Sequence, residues 1–310
     1  MFVVVHLPSE SPNVLADMLA KETALRVVPA RDGMPVESGQ VVFAPPDLHL
    51  VLEDSVARLT RGPRENRHRP SIDVLFRSAA ATYGERVIGV VLTGSLDDGS
   101  AGLWSIKRRG GLAIVQDPSE AEFPEMPRNA MEITEVDFAL PVGDIATKLS
   151  ELAGSPASGK GEAMPAETAH EVRMAAEGNS DIVELDQIGE RTPFTCPECG
   201  GVLWELSGNG PTRLRCHVGH AYSMRTFAAE QTVRVEAALW AALRVLEENE
   251  RLSRRLADEA KEHGRRHSVK FHQENARTTA AHADVVRNIL AHSGVDNATP
   301  RRAPKPGKRR

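Results

Sequence analysis

The stretch Val87-Ile88-Gly89-Val90-Val91-Leu92-Thr93-Gly94-Ser95-Leu96-Asp97-Asp98-Gly99-Ser100-Ala101-Gly102 decides the fold. Its first six residues are apolar without alternation, the pattern of a strand buried on both faces. A turn bearing glycines and aspartates then leads into a helix expected near 99–109. In an open α/β sheet, the turn that leaves a strand's carboxyl end is where ligands and chemistry gather. Asp98 stands in that turn, near a helix amino terminus where the backbone dipole favours a carboxylate. An acidic helix cap explains Asp98 as well as a catalytic carboxylate does, so the turn alone assigns it no role.

Outward from this turn, residues 1–152 alternate strand and helix patterns. Val3–Val5, Leu25–Val28, Val41–Ala44, Leu48–Leu52, Leu112–Val115 and Phe138–Leu140 read as further strands. Segments near 12–21, 71–83 and 143–152 read as helices, and 44–63 reads as a meander or hairpin. The expected fold is α/β, a doubly wound and mostly parallel sheet. His6 closes the strand Val3–Val5 and so occupies a second strand carboxyl end. A lone histidine there is more often structural. Paired with an aspartate from another strand end, it is a candidate general base.

The chain has 310 residues, enough for two or three domains, and 41% hydrophobic content, enough for a real core. Lys+Arg 38 against Asp+Glu 43 leaves −5, no signature of a nucleic-acid binder, and 4% aromatics do not furnish a stacking platform. No apolar run reaches membrane-spanning length, and the amino terminus has no basic region or cleavage site. A cytoplasmic protein without membrane insertion is expected. Residues 153–190 have the Gly, Pro and Ser content of a linker. Residues 191–223 hold all the cysteines. Residues 224–292 read as a helical hairpin, with Val235, Leu239, Ala242, Leu246 and Asn249 as a seam, Trp240 in its core and Gly264 at its turn. Residues 293–310 read as a disordered basic tail.

Three cysteines are an odd count for disulfides but suit one metal site. Cys196-Pro197-Glu198-Cys199 puts two thiolates on one tight turn, and Cys216-His217-Val218-Gly219-His220 supplies a second turn. Three cysteines and one histidine close a tetrahedron around zinc, leaving no open position, so the site is structural. His220 is the favoured fourth ligand and His217 the alternative. The result is a small zinc-ribbon-like module.

Val5-His6-Leu7-Pro8, Ala44-Pro45-Pro46-Asp47-Leu48-His49-Leu50, Asn66-Arg67-His68-Arg69-Pro70-Ser71-Ile72-Asp73-Val74-Leu75-Phe76, Leu92-Thr93-Gly94 with Asp98-Gly99, and Gln116-Asp117 followed by Met126-Pro127-Arg128 carry a resemblance. In this order over about 1–152, they resemble the catalytic domain of the chemotaxis protein-glutamate methylesterases of the CheB type. The cysteine segment and hairpin resemble a carboxyl-terminal extension found on some such proteins. The resemblance implies a doubly wound α/β domain that hydrolyses glutamate methyl esters on chemoreceptors, releases methanol and in many members deamidates glutamines. It implies a Ser–His–Asp triad with His6 as the histidine, Asp98 as the aspartate and an amide near Ser95 as oxyanion donor. Asp97 falls at a variable position and receives no role. The implied partner is a methylated chemoreceptor or related signalling protein. Arg67, His68 and Arg69 are candidates to contact acidic receptor helices, or else a solvated loop. Asp47 and His49 are expected to hydrogen-bond each other.

The family's nucleophile lies on a Gly-x-Ser-x-Gly-Gly-like turn one βα unit before the histidine, and here the histidine is residue 6. Loss of a serine nucleophile costs on the order of 10⁶ in kcat. The favoured expectation is an in-frame upstream segment that carries the serine, since a buried-looking strand begins abruptly at Met1. The alternative is a catalytically inactive interaction module. A weaker alternative makes the carboxyl half a zinc-dependent nucleic-acid binder.

Overall fold

The computed structural model describes residues 1–11, 14–157, 159–206 and 208–293. In chain order the first half forms β1 (Phe2–Val3), α1 (Val14–Glu22), β2 (Arg26–Pro29), β3 (Met34–Pro35), β4 (Gln40–Phe43), β5 (His49–Glu53), β6 (Val56–Thr60), α2 (Ile72–Tyr83), β7 (Ile88–Val91), α3 (Ser100–Arg108), β8 (Leu112–Gln116), α4 (Glu125–Ile133), β9 (Phe138–Leu140) and α5 (Val142–Ala153). β4 pairs in parallel with β1 and β2, and β8 pairs in parallel with β7 and β9. The expected mostly parallel α/β architecture is therefore present, with its parallel strands hydrogen-bonded in two groups of three. β5 and β6 form the antiparallel hairpin anticipated within 44–63, and β3 adds to it.

β4 shows why these strands lack alternation. Val42 packs with Leu50, Leu52 and Leu75 on one side, while Val41 and Phe43 pack with Ala16 of α1 on the other. Both faces are covered, so Val41, Val42 and Phe43 are apolar in succession. α2 places apolar residues at 72, 75, 76, 79, 80 and 83, a helical stripe. Leu75 and Ala79 pack on the hairpin side, and Ala80 packs with Val91, Leu103 and Ala113. α3 crosses α2 at Gly102, where a Cβ would stand 2.5 Å from Phe76 Cβ. That close approach lets Gly102 N–H donate to Asp73 Oδ1 at 2.7 Å.

The stretch 153–190, expected to be a linker, instead carries α6 (Ala166–Glu177) and α7 (Ile182–Ile188). Met174, Leu185 and Ile188 are buried with Trp204 and Leu206, and Ala175 lies against Val51 and Val74. α7 has only seven residues, and α6, though 12 residues long, is mostly alanine and charged residues, so neither shows a strong apolar stripe beside the Gly and Pro of 154–165. β10 (Gly189–Thr195), β11 (Val202–Leu206), β12 (Arg213–Cys216) and β13 (Ala221–Ser223) then form an antiparallel sheet in sequence order.

α8 (Met224–Glu262) and α9 (Arg266–Ser293) follow. The chain divides into two compact units, Met1–Ala228 and the remainder from Ala229. Within the second, Gly264 (φ +68°) makes the turn, and Arg287 Nη2 donates across the hairpin to Glu247 Oε1 at 2.9 Å. Leu243, Ala257 and Ala260 of α8 and Ala276 and Ala283 of α9 are buried. Trp240, expected in the core, is exposed and donates to Glu236 Oε1 at 3.3 Å; Val235 is exposed too. Leu243 is buried and Ala242 exposed, so the buried seam lies one position beyond the one read from the periodicity. Among the described residues, no helix is long and apolar enough to cross a membrane. The basic tail lies outside the described residues from 294 onward.

Candidate active site and metal centre

His6 and Asp98 meet across 92 positions of sequence: His6 Nε2 lies 2.7 Å from Asp98 Oδ2. His6 is carried just beyond β1 and Asp98 in the turn between β7 and α3, both at strand carboxyl ends. An ionised carboxylate only accepts, so Nε2 carries the hydrogen and Nδ1 is left with a lone pair. His68 stacks flat on His6, with ring centroids 3.5 Å apart and planes inclined by 5°, which restricts rotation of the imidazole. Burial, followed by the proximity of His6, lowers the His68 pKa to about 4, so the stacked ring is uncharged at neutral pH.

Asp98 is 1% exposed and satisfied by a cage of donors. Oδ2 accepts from Ile72 N–H at 2.7 Å as well as from His6. Oδ1 accepts from Ser71 Oγ at 2.7 Å, Asn66 Nδ2 at 3.1 Å and Asp73 N–H at 3.3 Å. Asp98 thus caps a helix, but it is α2 rather than its own α3. Ser71, at the cap position of α2, makes no side-chain cap bond and donates to Asp98 instead. Burial works to raise the Asp98 pKa, but the hydrogen bonds from His6 and from the Ile72 amide hold it well below the usual carboxylate range. Asp73 beside it goes the other way: burial and the Asp98 charge push it up to about 8. Two neighbouring carboxyls are thereby split, one firmly ionised and one protonated at neutral pH. Asn66, Ser71, Ile72 and Asp73 all lie in one quoted motif, yet nothing local assigned them to Asp98. A Ser-x-Asp at a helix start was the available signal.

Ser95 is exposed, and among the described residues its N–H donates to no acceptor. The loop is pinned on both sides of it. Gly94 exchanges bonds with Phe123 O and Met126 N, while Leu96 (φ +61°) donates to Glu125 Oε2 and accepts from Asn129 Nδ2. A fixed, unengaged amide suits a developing oxyanion. Of the basic cluster, Arg67 is exposed and His68 lies on His6. Arg69 is committed to Asp47 Oδ1, from Nε at 3.0 Å and Nη2 at 2.6 Å, and to Gly62 O. Asp47 and His49 do not form the expected mutual bond. Asp47 takes Arg69 and Arg61, whereas buried His49 bonds Pro63 O through Nε2 and accepts from Ser71 N–H through Nδ1.

The model of the CheB methylesterase family matches residues 1–149. A putative protein-glutamate methylesterase/protein-glutamine glutaminase of Leptospira interrogans (serovar copenhageni, strain Fiocruz L1-130) is 43% identical over 145 residues, 46% of this chain and 75% of that protein. The chain belongs to the CheB methylesterase family. A protein-glutamate methylesterase/protein-glutamine glutaminase 2 of Anaeromyxobacter dehalogenans is 44% identical over 150 residues, 48% of this chain and 44% of that protein. The crystal structure of the Thermotoga maritima CheB methylesterase catalytic domain aligns with 34% identity over 49% of this chain and 82% of that one, with a TM-score of 0.47.

Beyond the CheB-matched residues, the β10–β13 sheet brings Cys196, Cys199, Cys216 and His220 together, their ligand atoms all within 4.8 Å of one another. Cys199 Sγ and Cys216 Sγ are 3.6 Å apart, and His220 Nδ1 stands 3.5 Å from Cys216 Sγ and 3.7 Å from Cys196 Sγ. Two sulfurs on a tetrahedral zinc stand about 3.8 Å apart, so the cluster has the size the ion requires. His220 Nε2 faces Glu198 Oε2 at 3.2 Å, the carboxylate support that fixes a ligating imidazole. His217 is exposed, its ring against Gly201, where a Cβ would lie 2.3 Å from it.

This sheet is tied to the CheB-like half by buried charges. Arg215 of β12 donates to Glu65 Oε1 at 2.6 Å and to Glu171 Oε1 of α6 at 3.1 Å. Arg213 pairs with Glu171 Oε2 at 2.7 Å, and Arg77 of α2 pairs with Glu65. None of these five residues appeared among the candidates read from sequence, because single charges at unrelated positions carry no spacing signal.

Proposed function

We propose that the chain is the acid–base and oxyanion portion of a protein-glutamate methylesterase that removes methyl esters from chemoreceptor glutamates, with glutamine deamidation as the related amide reaction. The observation that carries this reading is the His6 Nε2–Asp98 Oδ2 hydrogen bond at 2.7 Å between two strand ends. His6 Nδ1 takes the proton of a serine hydroxyl as its oxygen bonds the ester carbonyl carbon. The Ser95 amide receives the oxyanion. When the C–O bond breaks, His6 returns the proton to the departing methoxide oxygen, giving methanol. Water then attacks the acyl-enzyme by the same route and releases glutamate and the serine. Asp98 stays ionised throughout, holds the tautomer and stabilises the imidazolium. The stacked His68, neutral at this pH, adds no opposing charge. The reading requires a hydroxyl at His6 Nδ1, and among the described residues none hydrogen-bonds to His6.

That last observation favours a second reading, an interaction module that binds receptor without hydrolysing it. Methanol release from methyl-esterified receptor membranes by the purified gene product separates the two. The hydrolase reading expects release that falls by about 10⁴ in both His6→Gln and Asp98→Asn. Receptor binding without release, or release untouched by both substitutions, rejects it.

The cysteine cluster is proposed as a structural zinc site held by Cys196, Cys199, Cys216 and His220. Zinc would supply folding energy to the sheet and no chemistry to the ester. The residues that position α2 and Asp98 do not touch it. A nucleic-acid role for the carboxyl half rests on the basic tail beyond the described residues, and nothing in the β10–β13 sheet favours it.

A further inference from the structure

We propose that β13 of the cysteine-bearing sheet acts as a metal-anchored positioning strand for the acid–base pair, working through Asn66. The proposal rests on the reading of His6 and Asp98 as that pair. Asn66 stands at φ +48°, a left-handed conformation asparagine tolerates, and is almost fully buried. Its backbone N–H donates to Ala221 O at 2.8 Å, and Ala221 N–H donates back to Arg64 O at 3.2 Å. Glu65 and Ala221 thereby form a parallel bridge between the CheB-like half and β13.

The side chain is the decisive part. Ser223 N–H donates to Asn66 Oδ1 at 2.8 Å. With its oxygen so engaged, the amide must turn Nδ2 towards the two carboxyls, Asp73 Oδ2 at 2.8 Å and Asp98 Oδ1 at 3.1 Å. The flipped amide would press its own oxygen against the Asp98 carboxylate and leave Ser223 N–H facing a donor. A backbone amide of β13 therefore selects the orientation in which Asn66 supports Asp98. The neighbouring Asp97, given no role by sequence, accepts two hydroxyls, one from β13 and one from the first turn of α8. Ser223 Oγ donates to Asp97 Oδ1 at 2.8 Å, and Thr226 Oγ1 of α8 donates to the same oxygen at 2.9 Å. Ser223 of β13 thus reaches both aspartates of the Asp97-Asp98 pair, Asp97 through its hydroxyl and Asp98 through Asn66.

The tie to the metal is one of chain geometry. β13 starts at Ala221, the residue after His220, and β12 ends on Cys216. Arg215, next to Cys216, grips Glu65, next to Asn66. Among the described residues, the hydrogen bonds between this sheet and the 64–66 segment leave the sheet from Arg215, Ala221 and Ser223, each within three residues of a proposed ligand. Release of the metal frees both strand ends and with them the amide that orients Asn66.

The test reads the His6–Asp98 bond directly, without substrate. The full chain, loaded with zinc, is observed by proton NMR at low field, where a hydrogen shared between imidazole and carboxylate resonates, together with solvent exchange of that hydrogen. Asp98→Asn is expected to abolish the resonance; its survival would sink the acid–base reading itself. Asn66→Gly keeps the left-handed backbone and removes only the amide. It is expected to shift the resonance and speed its exchange about tenfold or more, as loss of a charge-assisted hydrogen bond requires. Zinc removal, and Cys199→Ser, are expected to move it the same way with the α/β half still folded by circular dichroism. Ser223→Ala, which keeps the N–H but removes the hydroxyl from Asp97, is expected to leave the resonance in place. An unchanged resonance and exchange rate in Asn66→Gly overturns the proposal whatever zinc removal does. A shift confined to Ser223→Ala overturns it too, by routing the coupling through Asp97.

Discussion

Arg215→Met tests whether the buried charges join the cysteine-bearing sheet to the CheB-like half. Arg215 is 3% exposed at its side chain and loses three bonds: to Glu65 Oε1 (2.6 Å), Glu171 Oε1 (3.1 Å) and, from Nη1, Gly219 O (2.9 Å). Breaking a buried ion pair from one side costs about 3–5 kcal/mol. Here Glu65 keeps Arg77 and Glu171 keeps Arg213, so the loss belongs at the lower edge, about 3 kcal/mol. Glu65→Leu alone leaves Arg77 and Arg215 short of a partner and costs a similar amount. The double variant should lose less than the sum, by about 1–3 kcal/mol, because the second change removes a group already unpaired. Urea unfolding of the zinc-loaded chain, followed through the buried Trp204 of β11, measures both. The pH dependence carries an independent signature. Burial opposes ionisation of Glu65, but Arg215 and then Arg77 prevail and lower it from 4.5 to about 2. Its contribution is therefore present above pH 4.5 and lost as pH falls towards 2, and the gap between wild type and Arg215→Met should narrow across that window. A cost under about 1 kcal/mol, the level of an exposed pair, would refute the reasoning. Additivity within about 0.5 kcal/mol would do the same.

Asp73→Asn should flatten the decline of melting temperature with pH. The raised Asp73 pKa stabilises below about pH 4 and loses that stability as pH rises through about 8, so the variant should gain on wild type from pH 5 to 8. A constant difference across that range would show Asp73 ionising normally. Cys199→Ser should lose the approximately one zinc per chain that elemental analysis is expected to find; full retention would mean the ligands are assigned wrongly. Gly102→Ala should destabilise by about 1–3 kcal/mol, although alanine favours helix, because the new Cβ meets Phe76 at 2.5 Å. Unchanged unfolding would show that α2 and α3 can separate without cost.

Much of the architecture was readable from periodicity. Unbroken apolar runs at 41–44, 87–92 and 112–115 marked strands covered on both faces, and these strands are parallel. Cys-x-x-Cys with a second ligand turn marked the cluster, since a tight turn by itself sets where two thiols point. Helices α6 and α7 are not legible in the sequence, because α7 spans seven residues and α6 is built mostly of alanine and charged residues, with no strong apolar stripe. Trp240 escaped because a long helix offers neighbouring seams that one sequence cannot rank.

Local chain geometry therefore determined that His6 and Asp98 sit at strand ends, that residues 1–152 build an α/β sheet and that three thiols can converge. Tertiary structure alone decided that Asp98 caps α2 rather than α3, that Asn66 reaches it under control of Ser223, that Arg69 is taken by Asp47, and that His220 rather than His217 faces the sulfurs. The division has a physical cause. Spacing and hydrophobic pattern are properties of a few turns of chain. Which donor meets which carboxylate depends on segments up to 157 residues apart being packed into one low-dielectric interior, where each buried charge must find its partner.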